Sequence, residues 1–199
     1  MAAARAGGQQ EDGMSAERER YQVELAGKQR SLPIFEVAPG VRIAVFNLLG
    51  DTEIVSAAAE ALLAKLSQVD FDLFVTPEAK SIPLAHELSR RSDKAYVVLR
   101  KVYKTYMGDT ISAETVSITT GEPQRLYLDE KDRQRVEGSR VVLVDDVVST
   151  GSTLEGMRQV MRQAGAQVVA EAAVFTEGDP DRWAEIVALG HLPVFLDEA

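Results

Sequence analysis

The chain has 199 residues, 45% of them hydrophobic and 27% charged, an ordinary balance for one soluble globular domain with a sizeable core. It has no cysteine, which excludes disulfides and thiolate metal sites, and its net charge of −9 argues against nucleic acid as the main partner. No apolar run approaches the roughly 20 residues of a membrane span, and the start (MAAARAGGQQEDG) lacks the apolar stretch of a signal peptide, so a cytoplasmic location is expected and no membrane.

In chain order, residues 1–15 read as a disordered leader and 16–199 as a single domain. Residues 16–27 are charged and fit a short helix. Residues 42–46 (RIAVF) read as a strand. Residues 52–66 form an amphipathic helix with Thr52 as N-cap, because Ile54, Val55, Ala58, Ala61, Leu62 and Leu66 recur at helical spacing. Residues 71–76 (FDLFVT) are a buried strand ending at Thr-Pro, residues 82–90 a helix, and residues 95–99 (AYVVL) the next strand. Two β-branched stretches, 114–119 and 125–128, flank the turn signal Gly121-Glu122-Pro123 and read as a hairpin. Residues 140–144 (RVVLV) are the most apolar strand. A helix over 153–164, a strand over 167–175, a helix near 181–189 and a short strand at 193–196 complete the chain. Near-continuous apolar strands alternating with helices predict an α/β fold, a mostly parallel sheet flanked by helices. In such sheets ligands sit beyond the carboxyl ends of the strands, here after Thr76, Leu99 and Val144.

The strand over 140–144 is followed by Asp145-Asp146, a short loop, and Ser149-Thr150-Gly151-Ser152-Thr153 at the start of a helix. Small residues let successive backbone N–H groups converge on one anion, and the helix N-terminus adds its dipole. Gly151 permits the backbone geometry this needs. The paired carboxylates cannot help a phosphate by charge, but they can accept hydrogen bonds from a vicinal diol or act near Mg²⁺. A phosphate cradle beside diol acceptors describes a ribose 5-phosphate. The same residue types serve as plain helix caps, yet the whole string is more than capping requires. It is neither G-x-x-x-x-G-K-[ST] nor G-x-G-x-x-G.

VVLVDDVVSTGST resembles the motif by which type I phosphoribosyltransferases bind 5-phosphoribosyl 1-diphosphate (PRPP). The resemblance covers roughly residues 42–195 and points to the purine branch. It implies that Asp145 and Asp146 hold the ribose hydroxyls and Ser149 to Thr153 the 5-phosphate. Glu78-Ala79-Lys80-Ser81 resembles the family's diphosphate loop, with a non-proline cis peptide expected at Ala79–Lys80. Arg100-Lys101-Val102-Tyr103-Lys104 resembles the R-K-x-x-K stretch of adenine and xanthine phosphoribosyltransferases, so Arg100, Lys101 and Lys104 are expected on the diphosphate, Lys104 with Asp145 and Asp146 in a catalytic role. Part of that stretch reaches the neighbouring subunit in relatives, which implies a homodimer. Residues 107–128 correspond to a flexible catalytic hairpin that excludes water.

The implied reaction is transfer of ribose 5-phosphate from PRPP to a purine nitrogen, with Mg²⁺ carried by PRPP and no direct protein ligand. No nucleophilic side chain is required, and His86 and His191 stand alone in the sequence. Adenine enzymes carry Glu-Tyr in the hairpin where this chain has Thr119-Thr120, and Glu114 is out of register. Residues 114–119, Leu48-Leu49-Gly50 and residues 80–84 resemble the phosphoribosyltransferase-fold domain of Gram-positive purine repressors. Phe46 stands where a purine could stack, or in the core. Adenine is the favoured base, with xanthine, guanine and hypoxanthine open. The competing reading is a non-catalytic PRPP- or nucleotide-sensing regulator of the same fold; the segment ahead of the core is short for a winged-helix DNA-binding domain.

Overall fold

The computed structural model describes residues 18–116 and 123–197. Five parallel strands form the central sheet: β4 (Leu73–Pro77), β5 (Ala95–Leu99), β8 (Arg140–Val148), β9 (Gln167–Glu177) and β10 (Val187–Leu192), in the order β10-β9-β8-β4-β5. The chain runs outward from β4 to β5, then returns to lay β8 on the other side of β4. The topological switch therefore falls between β4 and β8, where a crevice opens beyond their carboxyl ends.

Both sheet faces are covered, so these strands are apolar on both sides. On β8, Val142 and Val144 point into one core and Val141, Leu143 and Val148 into the other. The first core packs against α1 (Thr52–Lys65) and α2 (Ile82–Ser92), the second against α4 (Ser152–Gln163) and the antiparallel hairpin β6 (Ile111–Val116) and β7 (Pro123–Leu128). Leu143 is fully buried at the centre of the sheet. Leu143→Ala should cost about 2–5 kcal/mol in urea unfolding, as buried leucine truncations do; a loss below about 1 kcal/mol would place this strand outside the cooperative core.

A second, antiparallel sheet stands over one end of the first. Its order is β1-β2-β3-β11, from β1 (Arg20–Leu25), β2 (Lys28–Ala38), β3 (Val41–Ala44) and β11 (Val194–Leu196). The short helix expected over residues 16–27 is thus a strand across its described part. Tyr21, Val23 and Leu25 alternate inward with period two, and Ala26 (φ 48°) and Gly27 (φ 76°) form a two-residue turn with both φ positive. An Ala-Gly turn is a weaker hairpin signal than Asn-Gly, and the charged residues of β1 hid the alternation.

Two other expectations change. Near 181–189, Trp183, Ile186 and Val187 mimic helical spacing, but the segment is a 3-10 turn (Pro180–Trp183) followed by β10, because parallel pairing with β9 outweighs local propensity. The charged segment Glu130–Val136 is a helix, α3, that the sequence reading missed. It buries only Val136 and is held by the Asp129 cap, which accepts from Lys131 N at 3.2 Å. For α1 the N-cap is Asp51, not Thr52. Its carboxylate accepts from Ile54 N at 3.1 Å and from Arg30 Nε at 2.6 Å. The strand β2 (Lys28–Ala38) has no counterpart among the expected elements, because its mixed polar and apolar run lacks a clean alternation. The other strands and helices fall where expected within a few residues, although β8 and β9 run on to Val148 and Glu177. The leader over 1–15 and positions 117–119 of the expected hairpin lie outside the described residues.

Candidate active site

The crevice at the switch point collects the loop after β4, the end of β8 and the loop into α4. Asp145 and Asp146 sit on β8 and are 8% and 9% exposed, so the strand carries two carboxylates into a nearly dry environment. Asp146 N donates to Asp145 Oδ1 at 2.9 Å. Burial, and then the neighbouring Asp146 charge, raise the proton affinity of Asp145; the Asp146 amide and the Ser81 hydroxyl pull the other way. Such a pair is costly without a partner, and a diol or a cation would supply one.

Beyond β8 the chain turns through Ser149 and Thr150 to Gly151, which caps α4 at φ +80°. A small hollow of about 90 Å³ opens here, bounded by Asp145, Val147, Ser149, Thr150, Gly151 and Thr153. Thr150 Oγ1 and Ser152 Oγ lie 3.0 Å apart, and Arg182 donates to Thr150 O at 2.8 Å, so a cation backs the loop. Trp183 presses on Gly151 from outside. A Cβ at position 151 would come within 2.6 Å of the indole Cη2. The indole is itself fixed by Nε1–H donating to Glu177 O at 2.9 Å. The hollow, the helix N-terminus and the small side chains are chemically suited to cradle an anion.

The loop after β4 faces this cradle. The non-proline cis peptide is present, one bond earlier than expected: it joins Glu78 to Ala79, not Ala79 to Lys80. Ala79 and Lys80 are exposed, whereas Ser81 is buried, accepting from Thr76 Oγ1 at 2.9 Å and donating to Pro77 O at 3.2 Å. Ser81 anchors the loop at the start of α2, and Lys80 is exposed next to it.

Glu78 ties this loop to the end of β5. It accepts from Lys101 N at 3.0 Å and from Arg100 Nε at 3.1 Å, and these bonds hold its proton affinity below the usual carboxylate range. The Arg100 backbone also pairs with Tyr127 of the hairpin. Arg100 is therefore engaged, leaving Lys101 and Lys104 as the exposed cations of the cluster. Lys104 opens a 3-10 turn (Thr105–Met107), its carbonyl accepting from Met107 N at 2.9 Å.

Phe46 follows β3. It is 5% exposed and meets Phe175 edge-on, with ring centroids 4.8 Å apart, so its ring belongs to the core. It nonetheless lines, with Ile43, Lys80, Asp146, Val147, Ser149 and Glu177, a cleft of about 240 Å³ between the small sheet and the end of β8. Thr119 and Thr120 lie outside the described residues. Sequence reading assigned no role to Glu177, Arg182 or Trp183. The available signal was a strand ending in a carboxylate before the turn Gly178-Asp179-Pro180, with a cation and an indole next to it.

With that geometry in view, the comparisons are specific. The phosphoribosyl transferase domain family matches residues 48–188. An adenine phosphoribosyltransferase of Thermosipho africanus is 30% identical over 142 residues, covering 71% of this chain and 80% of its own. The chain belongs to the phosphoribosyl transferase family. A hypoxanthine/guanine phosphoribosyltransferase of Methanococcus voltae is 33% identical, over 73% of this chain and 71% of its own. The purine biosynthesis transcriptional repressor PurR of Bacillus subtilis is 26% identical, over 87% of this chain and 61% of its own. Among solved structures, an adenine phosphoribosyltransferase from Thermoanaerobacter pseudethanolicus superposes with a TM-score of 0.63 at 25% identity, covering 72% of this chain and 84% of the other. The five-stranded parallel sheet, its switch-point crevice and the β6–β7 hairpin are the type I phosphoribosyltransferase fold, and the chain is an enzyme of that family.

Proposed function

We propose that this phosphoribosyltransferase transfers ribose 5-phosphate from PRPP to a purine base, adenine being favoured, and releases diphosphate. The observation that carries this reading is the arrangement at one sheet edge: the anion cradle of the β8–α4 loop, two buried carboxylates beside it, and the Glu78–Arg100 loop pair facing them. The cradle from Ser149 to Thr153 takes the 5-phosphate. Asp145 and Asp146 accept hydrogen bonds from the ribose hydroxyls. Ala79, Lys80 and Ser81 present the diphosphate loop, Glu78 and Arg100 hold its shape, and Lys101 and Lys104 supply positive charge to the leaving group.

Transfer passes through an oxocarbenium-like state, so the protein aligns the reactants, neutralises the departing diphosphate and keeps water out. Mg²⁺ brought in with PRPP would screen the charge of the leaving diphosphate; Asp145 and Asp146 are hard oxygen donors that would suit a cation held mostly by its substrate. The cleft of about 240 Å³ beside Asp146 is the place for the base. Relatives acting on adenine and on hypoxanthine or guanine leave the choice of base to experiment. Val102, Tyr103 and Tyr106 are exposed beside Lys101 and Lys104 at the end of the edge strand β5, and this patch supports a homodimer. The acidic, cysteine-free chain fits a cytoplasmic enzyme, and no helix among the described residues is long and apolar enough to cross a membrane.

The test is a panel of purine and pyrimidine bases with PRPP and Mg²⁺, reading diphosphate release. Release with adenine above the other bases is the expected result. Release with a pyrimidine alone would overturn the purine assignment. PRPP binding without release from any base would overturn the transfer reading.

A further inference from the structure

The site above leaves one buried carboxylate without a task. Glu177 ends β9, is only 5% exposed, and lines the cleft assigned to the base. Among the described residues its carboxylate makes one hydrogen bond, accepting from Ser149 Oγ at 2.5 Å. Its backbone is pinned by the Trp183 indole, so the carboxylate is held in position. A glutamate buried merely for packing would cost more than an apolar residue of similar size, so a nearly dry carboxylate beside a cleft calls for a chemical reason.

Ser149 stands at a junction. The phosphate hollow and the base cleft share two residues, Val147 and Ser149. Ser149 therefore lies on the wall common to the proposed phosphate and base sites, within reach of a ligand that occupies both. The backbone of Ser149 belongs to the phosphate loop, but its hydroxyl is turned to Glu177. Among the described residues, Asp146 from β8, Lys80 from the loop after β4, Ser149 and Ile43 to Phe46 line the same cleft as Glu177, and His191 of β10 acts on it electrostatically. His191 is itself occupied, 2.9 Å from Thr176 Oγ1 and 3.0 Å from Gly178 O.

We propose that Ser149 and Glu177 form a relay that takes the proton released by the acceptor nitrogen of the base; this rests on the phosphoribosyl-transfer reading above. As the nitrogen lone pair forms its bond to the ribosyl carbon, the carbon–oxygen bond to diphosphate breaks and its electron pair leaves on the diphosphate oxygen. The proton on the base nitrogen passes to Ser149 Oγ while the hydroxyl proton of Ser149 passes to Glu177 Oε2. Glu177 ends neutral and returns the proton to water when products leave. Ser149 is the catalytic residue of this step, and Glu177 is a positioning residue that acts through it. Burial raises the proton affinity of Glu177, with Ser149 and His191 opposing, which suits a group that must accept a proton.

Glu177→Gln keeps the shape and the acceptor for Ser149 but cannot take the proton. With PRPP and the base that turns over best, kcat is expected to fall about 100-fold, the low end for a positioned acid–base group, and KM for PRPP to stay within about threefold. The wild-type rate should rise with pH as Glu177 loses its proton, and that acid limb should vanish in Glu177→Gln. Ser149→Ala should lose a similar factor, and the double variant should be no worse than either alone. An unchanged kcat or an unchanged acid limb in Glu177→Gln, with wild-type turnover intact, overturns the relay and leaves the transfer reading standing. Losses in the two single variants that multiply in the double variant overturn it equally. No diphosphate from the wild type with any base overturns both.

Discussion

Replacing Asp145 and Asp146 together by asparagine is expected to weaken PRPP binding about 10²- to 10⁴-fold while leaving the fold intact. In the proposed complex Asp145 gives up its proton and both carboxylates accept from ribose hydroxyls; bonds to charged acceptors are worth about 1.5–3 kcal/mol each. Two of them amount to roughly two to four decades in affinity. The cost of keeping them is paid in stability. Burial raises the proton affinity of Asp145 in the folded protein, so the native state binds a proton that the unfolded chain has already released. Stability from this group is therefore greatest at low pH, near the ordinary carboxylate value, and declines as pH rises through its raised folded value. The asparagine variant lacks that decline and should melt no lower than wild type at neutral pH. Calorimetric titration with PRPP and Mg²⁺, alongside melting curves from pH 5 to 8, reads both effects. Wild-type affinity in the double variant would remove the aspartates from the sugar site, and a collapsed fold would make them structural.

Gly151→Ala should damage both the loop and the protein. Position 151 adopts φ +80°, where a non-glycine residue costs on the order of 1–3 kcal/mol. The added Cβ would also stand 2.6 Å from the Trp183 indole, a rigid plane that is hydrogen-bonded and buried and cannot simply swing away. Relief must come from the loop, which would draw its backbone amides away from the proposed phosphate site. The expected outcome is a loss of about 2–4 kcal/mol in urea unfolding, once the clash is added to the backbone cost, and PRPP affinity lowered at least about tenfold. Removing the obstruction with Trp183→Ala should recover part of the affinity in the double variant, while the stability cost of the lost indole remains. If Gly151→Ala binds PRPP like wild type, the hollow between Ser149 and Thr153 is not the phosphate cradle.

The same residues show how much was legible beforehand. The apolar run of β8 and the small-residue loop after it carry their meaning locally, since a buried strand and an anion cradle each need particular residue types in unbroken order. The Glu78–Ser81 loop and the Arg100–Lys104 cluster were legible because they too follow apolar strands. Their coupling was not: that Glu78 engages Arg100 and the amide of Lys101, leaving Lys101 and Lys104 exposed, depends on two loops more than 20 residues apart meeting over one sheet edge. The strand β10 was misread because its residues favour one local state and its partner β9 enforces another, whereas in β1 the charged residues hid a strand alternation that was present.

By itself, then, the sequence determined the class of fold, the strand whose end carries the proposed sugar-phosphate site, and the family, because hydrophobic periodicity and a contiguous motif are properties of neighbours along the chain. Only the tertiary structure decided how the strands are ordered, that the crevice lies between β4 and β8, and that Glu177 stands behind Ser149, 28 residues away in the chain. Parallel strands are joined by long crossovers, so the groups that share a site arrive from distant segments, and nothing local records their meeting.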